Sequence, residues 1–186
     1  MKRILLASVL GAITMFIWGF ISWAVLPWHT SSIHTFSNED AIVAAIKAGN
    51  NPSGAYMIPG FAMGHDAMVA KTEAGPVAHI FYKAEGMKAM DPMFFVKALI
   101  LDILAMLVAV SLLSKISWSL ASYGNRVRFM MMIGLIIAIA TRLGDIVYFS
   151  YPMEFSLPMA VDEVIAWTLA GLVVAKFTKP AMAKAG

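Results

Sequence analysis

Residues 127–149, VRFMMMIGLIIAIATRLGDIVYF, and residues 156–175, SLPMAVDEVIAWTLAGLVVA, decide how the chain is read. Each is long enough, as a helix, to cross a hydrocarbon core, which takes about 20 apolar residues. Each also carries charge at what would be membrane depth: Arg142 and Asp145 in the first, Asp162 and Glu163 in the second. One charge at the middle of a spanning helix costs about 2.5–3.5 kcal/mol on insertion scales. Four left unpaired against lipid would cost on the order of 10 kcal/mol, comparable to the stability of a whole domain. These side chains must therefore face one another, water or a partner. An intramembrane ionisable cluster of this kind is a candidate functional site.

Two more apolar runs complete the set. Ile4–Leu26 has no charge over 23 residues, and Met93–Leu113 contains only Lys97 and Asp102. A signal peptide shares the positive start at Lys2-Arg3, but its apolar core is about 7–15 residues, so the first run reads as a retained helix. The Ser22-Trp-Ala24 step offers cleavage as the alternative. Ala7, Gly11, Gly19 and Ser22 are small enough for another helix to approach. Trp23 and Trp28 suit an interfacial belt, whereas Trp18 lies deeper. The expected fold is all-α membrane: a four-transmembrane-helix bundle with a small extracytoplasmic α+β insert between helices one and two. Helix one takes 4–27, the insert 28–92, helices two to four 93–175, and a tail 176–186.

Composition agrees. Hydrophobic residues make up 60% and charged ones 13% of 186, well outside the soluble norm. With no cysteine, disulfides, thiolate metal sites, cysteine nucleophiles and lipidated-cysteine anchors are excluded. The net charge of +3 forms no basic stripe interleaved with aromatics, so nucleic acid is not an expected partner.

The insert is the one sizeable polar segment. Ser37-Asn-Glu-Asp40 reads as a helix cap with acids in the first turn, ahead of a helix over Ala41–Ala48 that Gly49 stops. Asn51-Pro-Ser-Gly54 reads as a turn, and Ala55–Ile58 and Val77–Tyr82 as short strands. His65-Asp66 reads as a turn. At roughly 60 residues this element is marginal alone.

Basic residues set the orientation. Lys2, Arg3, Lys115, Arg126, Arg128, Lys176, Lys179 and Lys184 share one face with no acid. The other face carries Lys47, Lys71, Lys83 and Lys88 against Glu39, Asp40, Asp66, Glu73, Glu85, Asp91 and Glu154. The positive-inside rule then puts both termini in the cytoplasm of a multi-pass bacterial inner-membrane protein, with the insert periplasmic.

Depth groups the charges. At 1.5 Å per residue, Lys97 and Asp102 fall roughly 6 and 14 Å below the outer end of their helix, and Arg142 and Asp145 about 12 and 8 Å below theirs. Asp162 and Glu163 fall about 10–12 Å deep, so all six lie in the outer half. Arg142 and Asp145, three apart, share a face and can pair. Asp162 and Glu163 point about 100° apart. Lys97 is shallow enough to snorkel. Two cations against four acids leave a surplus that must be protonated, matched by a bound cation, or wetted. A buried ion-pair network that fixes helix register explains the same residues without any ligand.

Other chemistry is thin. Met63, His65 and Met68, with Met57, His79, Met87, Met90 and Met93, are ligand types that suit Cu(I). Fifteen methionines overall, three of them consecutive at 130–132, read more simply as flexible apolar filling, and no cofactor is expected. His29 and His34 read as an interfacial pair. No phosphate loop, His-Glu-x-x-His, Gly-x-Ser-x-Gly or dinucleotide fingerprint occurs, which points away from an enzyme. The functional expectation is a non-enzymatic protein whose charged outer vestibule (Lys97, Asp102, Arg142, Asp145, Asp162, Glu163) binds a partner membrane protein or polar ligand. It would act as an accessory or assembly subunit, or as a homo-oligomer within the lipid bilayer. A small cation- or proton-coupled transporter is the alternative, followed by a membrane-embedded enzyme with Asp145 and Asp162 as an acid pair and by a periplasmic Cu(I)-binding protein.

Overall fold

In the computed structural model the described residues are 1–89 and 91–178. Met90, Lys179 and Lys184, named above, lie outside them. Among the described residues the chain is mostly helical, with four helices long and apolar enough to cross a membrane and one small two-stranded sheet. In order come α1 (Lys2–Ala24), α2 (Glu39–Ala48), β1 (Gly54–Ile58), α3 (His65–Ala74), β2 (Ala78–Tyr82) and α4 (Pro92–Ile116). The third long helix is α5 (Tyr123–Ile137), a π-helical segment at Ala138–Leu143, and α6 (Gly144–Phe149); α7 (Met153–Phe177) is the fourth.

Two compact units result, Met1–His34 with Asp91–Gly186, and Thr35–Met90. In the smaller, β1 and β2 pair antiparallel with Tyr56 opposite Ile80. Helix α2 starts where the acidic turn predicts: the Asn38 side chain accepts from the Ala41 N–H at 3.2 Å. The turn expected at His65-Asp66 is instead the start of α3. Ala, Met, Lys and Glu dominate that stretch, Asp66 complements the helix dipole, and Gly75 with φ +70° ends it. Summed propensity over ten residues outweighs the local turn signal of one dipeptide.

In the larger unit α7 packs along both α1 and α5, and α1 packs along α4, while α4 and α5 touch through few residues. Close approach depends on glycine. A Cβ on Gly134 would lie 2.6 Å from the Trp167 Cβ, and one on Gly171 would lie 2.8 Å from the Met130 Cβ. A Cβ on Gly11 would meet Val174 at 2.8 Å and Met106 at 2.9 Å. The small face of α1 is thus filled by the chain's own helices: Ala7, Ser8, Gly11 and Ala12 are buried, and only Gly19 faces open space. Met106, Val110, Leu113, Met130 and Val174 fill the core around them.

Contact levels fix the helix directions. Ser8 lies level with Met106 and Phe16 with Phe95, Gly11 with Val174 and Trp18 with Asp162, so α4 and α7 both run antiparallel to α1. The end away from Trp18 is closed by Arg126, which is only 3% exposed. Its guanidinium donates to the carbonyls of Leu120 (2.9 Å), Ala121 (2.7 Å) and Ala175 (3.2 Å), satisfying a carbonyl in the last turn of α7. Tyr123 adds a 2.7 Å bond to the Leu172 carbonyl. Helix α7 begins at Met153, ahead of the apolar run at 156–175, so Ser156 is buried inside the first turns, and the helix runs on through Pro158.

Candidate functional site

Helix α1 stops at Ala24, and Pro27 ends any continuation, so the chain folds back over its own last turn. Trp18 and Ser22, four apart, share the face of α1 that meets α7. The returning loop delivers Trp28 and His29 to the same place. Trp28 Nε1 donates to the Ser22 carbonyl (3.2 Å) and to Ser22 Oγ (3.0 Å). His29, 1% exposed, places Nε2 2.9 Å from Ser22 Oγ and 3.3 Å from Asp162 Oδ2. Trp23 stacks on the imidazole at 4.2 Å and Trp28 meets its edge. Trp18 Nε1 donates to Asp162 Oδ1 at 2.5 Å. One carboxylate from α7 is therefore held by an indole of α1 and an imidazole of the loop.

The geometry restricts the chemistry. In a Ser-His-Asp triad the hydroxyl and the carboxylate occupy opposite ring nitrogens. Here both occupy Nε2, and Nδ1 is buried with no partner among the described residues. Because a carboxylate only accepts, the proton joining the pair sits on Nε2, which leaves that nitrogen no lone pair with which to activate Ser22.

The neighbouring residue carries the second half of the site. Glu163 Oε1 accepts from Trp167 Nε1 at 3.1 Å, and Glu163 Oε2 lies 3.7 Å from Arg142. Asp102 of α4 lies within electrostatic range of Glu163. Arg142 is 39% exposed and its Nε is buried with no partner among the described residues. The pair that the three-residue spacing allows, Arg142–Asp145, does not form; Arg142 pairs with Glu163 instead. The i, i+3 rule assumes α geometry throughout, whereas the π segment contains Arg142 and shifts its phase relative to Asp145 just beyond.

Of the six residues singled out in the sequence, Asp102, Arg142 and Glu163 come together, with Asp162 next in the chain and turned toward α1. Lys97 is exposed and Asp145 half-buried, and neither side chain has a partner among the described residues. The sequence reading missed Trp18, Ser22 and His29 as members; His29 is buried rather than interfacial, while His34 does sit exposed, 3.0 Å from Glu154. Met63 and His65 are exposed on the smaller unit, and among the described residues no three His, Asp or Glu side chains converge as a metal site. The chain matches no protein-family model, no curated protein and no solved structure.

Proposed function

We propose that the chain is a non-enzymatic, multi-pass protein of a bacterial inner membrane, both termini cytoplasmic and residues 28–92 periplasmic, whose charged outer-leaflet cluster binds a partner presenting a cation. The partner is a basic residue of another membrane subunit or a polar ligand with an amine. The orientation rests on the one-sided distribution of Lys and Arg. The observation that carries the binding role is the local excess of acid: Asp102, Asp162 and Glu163 gather from α4 and α7 against Arg142 and His29. Asp102 has Glu163 as its charged neighbour and no counter-cation within 4 Å among the described residues. A carboxylate so placed is stabilised when a cation arrives from outside the chain.

Gentle extraction followed by native mass spectrometry tests this. The expected particle carries extra mass that is not a multiple of the chain, and Asp102→Asn combined with Glu163→Gln releases it. A particle containing this chain alone contradicts the proposal.

One feature favours a second reading as a small cation- or proton-coupled transporter: the π segment lies beside the acids, and such segments recur at functional sites. On that reading, neutralising Asp145 and Asp162 abolishes cation-driven flux in reconstituted vesicles while assembly persists. Unchanged flux rules it out.

A further inference from the structure

Resting on the reading of the chain as membrane-spanning, we propose that a second copy docks through an ion pair between Lys97 of one copy and Asp145 of the other. Three observations meet here. Lys97 and Asp145 are cluster residues of opposite charge whose side chains have no partner among the described residues. They are matched in depth: five residues inside the start of α4 and four inside the end of α6, or about 8 and 6 Å at the helical rise. They also lie on α4 and α6, which make no substantial contact with each other within one chain.

The surface around Lys97 suits a helix neighbour. Below it, Leu101, Leu104 and Val108 recur at helical spacing and are 66%, 54% and 63% exposed. Asp145 is flanked by the exposed Thr141 and Tyr148 on its own helix. Each copy supplies one cation and one acid, so a two-fold pair or a closed ring leaves no copy with an unmatched charge. A foreign partner would have to bring both signs at one depth, and this chain already carries both.

Because the chain has no cysteine, engineered cysteines report unambiguously. Lys97→Cys chains and differently tagged Asp145→Cys chains, co-expressed in membranes, are expected to form a disulfide-linked heterodimer on mild oxidation. Single variants Lys97→Asp and Asp145→Lys are expected to lower the multimer fraction at least tenfold, and the exchange of both charges in one chain to restore it. Absence of the cross-link between chains overturns the proposal. So does a cross-link found only inside a chain bearing both cysteines, or an exchange variant no better than its parents. Native mass spectrometry separates the two readings: integer multiples of the chain report self-association, and the non-integer excess reports the cationic partner. A lost self-cross-link with the excess retained defeats this inference alone.

Discussion

Removing the Asp162 carboxylate and the His29 imidazole together should harm the protein less than the sum of the two single removals, because the two side chains share a bond. In Asp162→Leu, Trp18 Nε1 and His29 Nε2 both lose their acceptor. Unmade buried bonds cost about 1–3 kcal/mol each, and since Trp18 keeps some exposure the expected loss is about 3–4 kcal/mol. In His29→Leu, Asp162 loses one of two donors, a bond to a charged group worth about 1.5–3 kcal/mol. In the double variant the His29–Asp162 term is counted once and one orphaned group disappears. The coupling energy should therefore be about 2 kcal/mol, with the double variant well above the additive expectation. Reversible unfolding in mixed micelles, or steric trapping in bilayers, measures the three variants against the parent. Additivity within about 0.5 kcal/mol would mean that the two side chains do not share a bond, and the derivation of the site would fail.

Two further perturbations probe the frame. Gly134→Ala pushes a methyl against the Trp167 Cβ and should cost about 1–3 kcal/mol of overpacking, whereas Gly19→Ala, which meets nothing, should be neutral or stabilising by helix propensity; equal Tm shifts would contradict the helix packing. In the smaller unit, the Ser53 hydroxyl donates to Glu85 at 2.6 Å and, with the Glu85 N–H and Lys83, holds that carboxyl below the ordinary glutamate range. A depressed carboxyl contributes stability that is present above its unfolded value and lost as pH falls through the folded one. Carboxyl-carbon NMR titration should therefore show the Glu85 midpoint rising in Ser53→Ala, and an unmoved midpoint would remove Ser53 as the cause.

The long helices were legible because 20-residue apolar runs have few alternatives, and the acids stood out because charge inside such runs is costly. What stayed hidden depends on geometry that a periodic reading does not contain. Arg142 finds Glu163 across helices because the third long helix widens into a π segment, which no i, i+3 count anticipates. His29 enters the site because α1 stops at Ala24 and the loop turns back. The available signal was the pairing of Trp18 and Ser22 on one face, followed by Pro27 just before Trp28 and His29. Arg126 counts in the sequence only as one of the basic residues that set orientation, yet it is buried against three carbonyls, a role set by where α7 ends rather than by its neighbours in sequence.

The central claim is that the acids of α4 and α7 form an outer-leaflet site open to a ligand rather than a sealed structural network. Thiol labelling in intact membranes measures this directly, since a thiol reacts as the thiolate and needs water to ionise. With a small membrane-impermeant methanethiosulfonate reagent added from the side proposed as periplasmic, Asp102→Cys is expected to react and Leu101→Cys, on the apolar outer face of the same helix, to stay unlabelled. Protection of Asp102→Cys, or equal reaction at both positions, would contradict it.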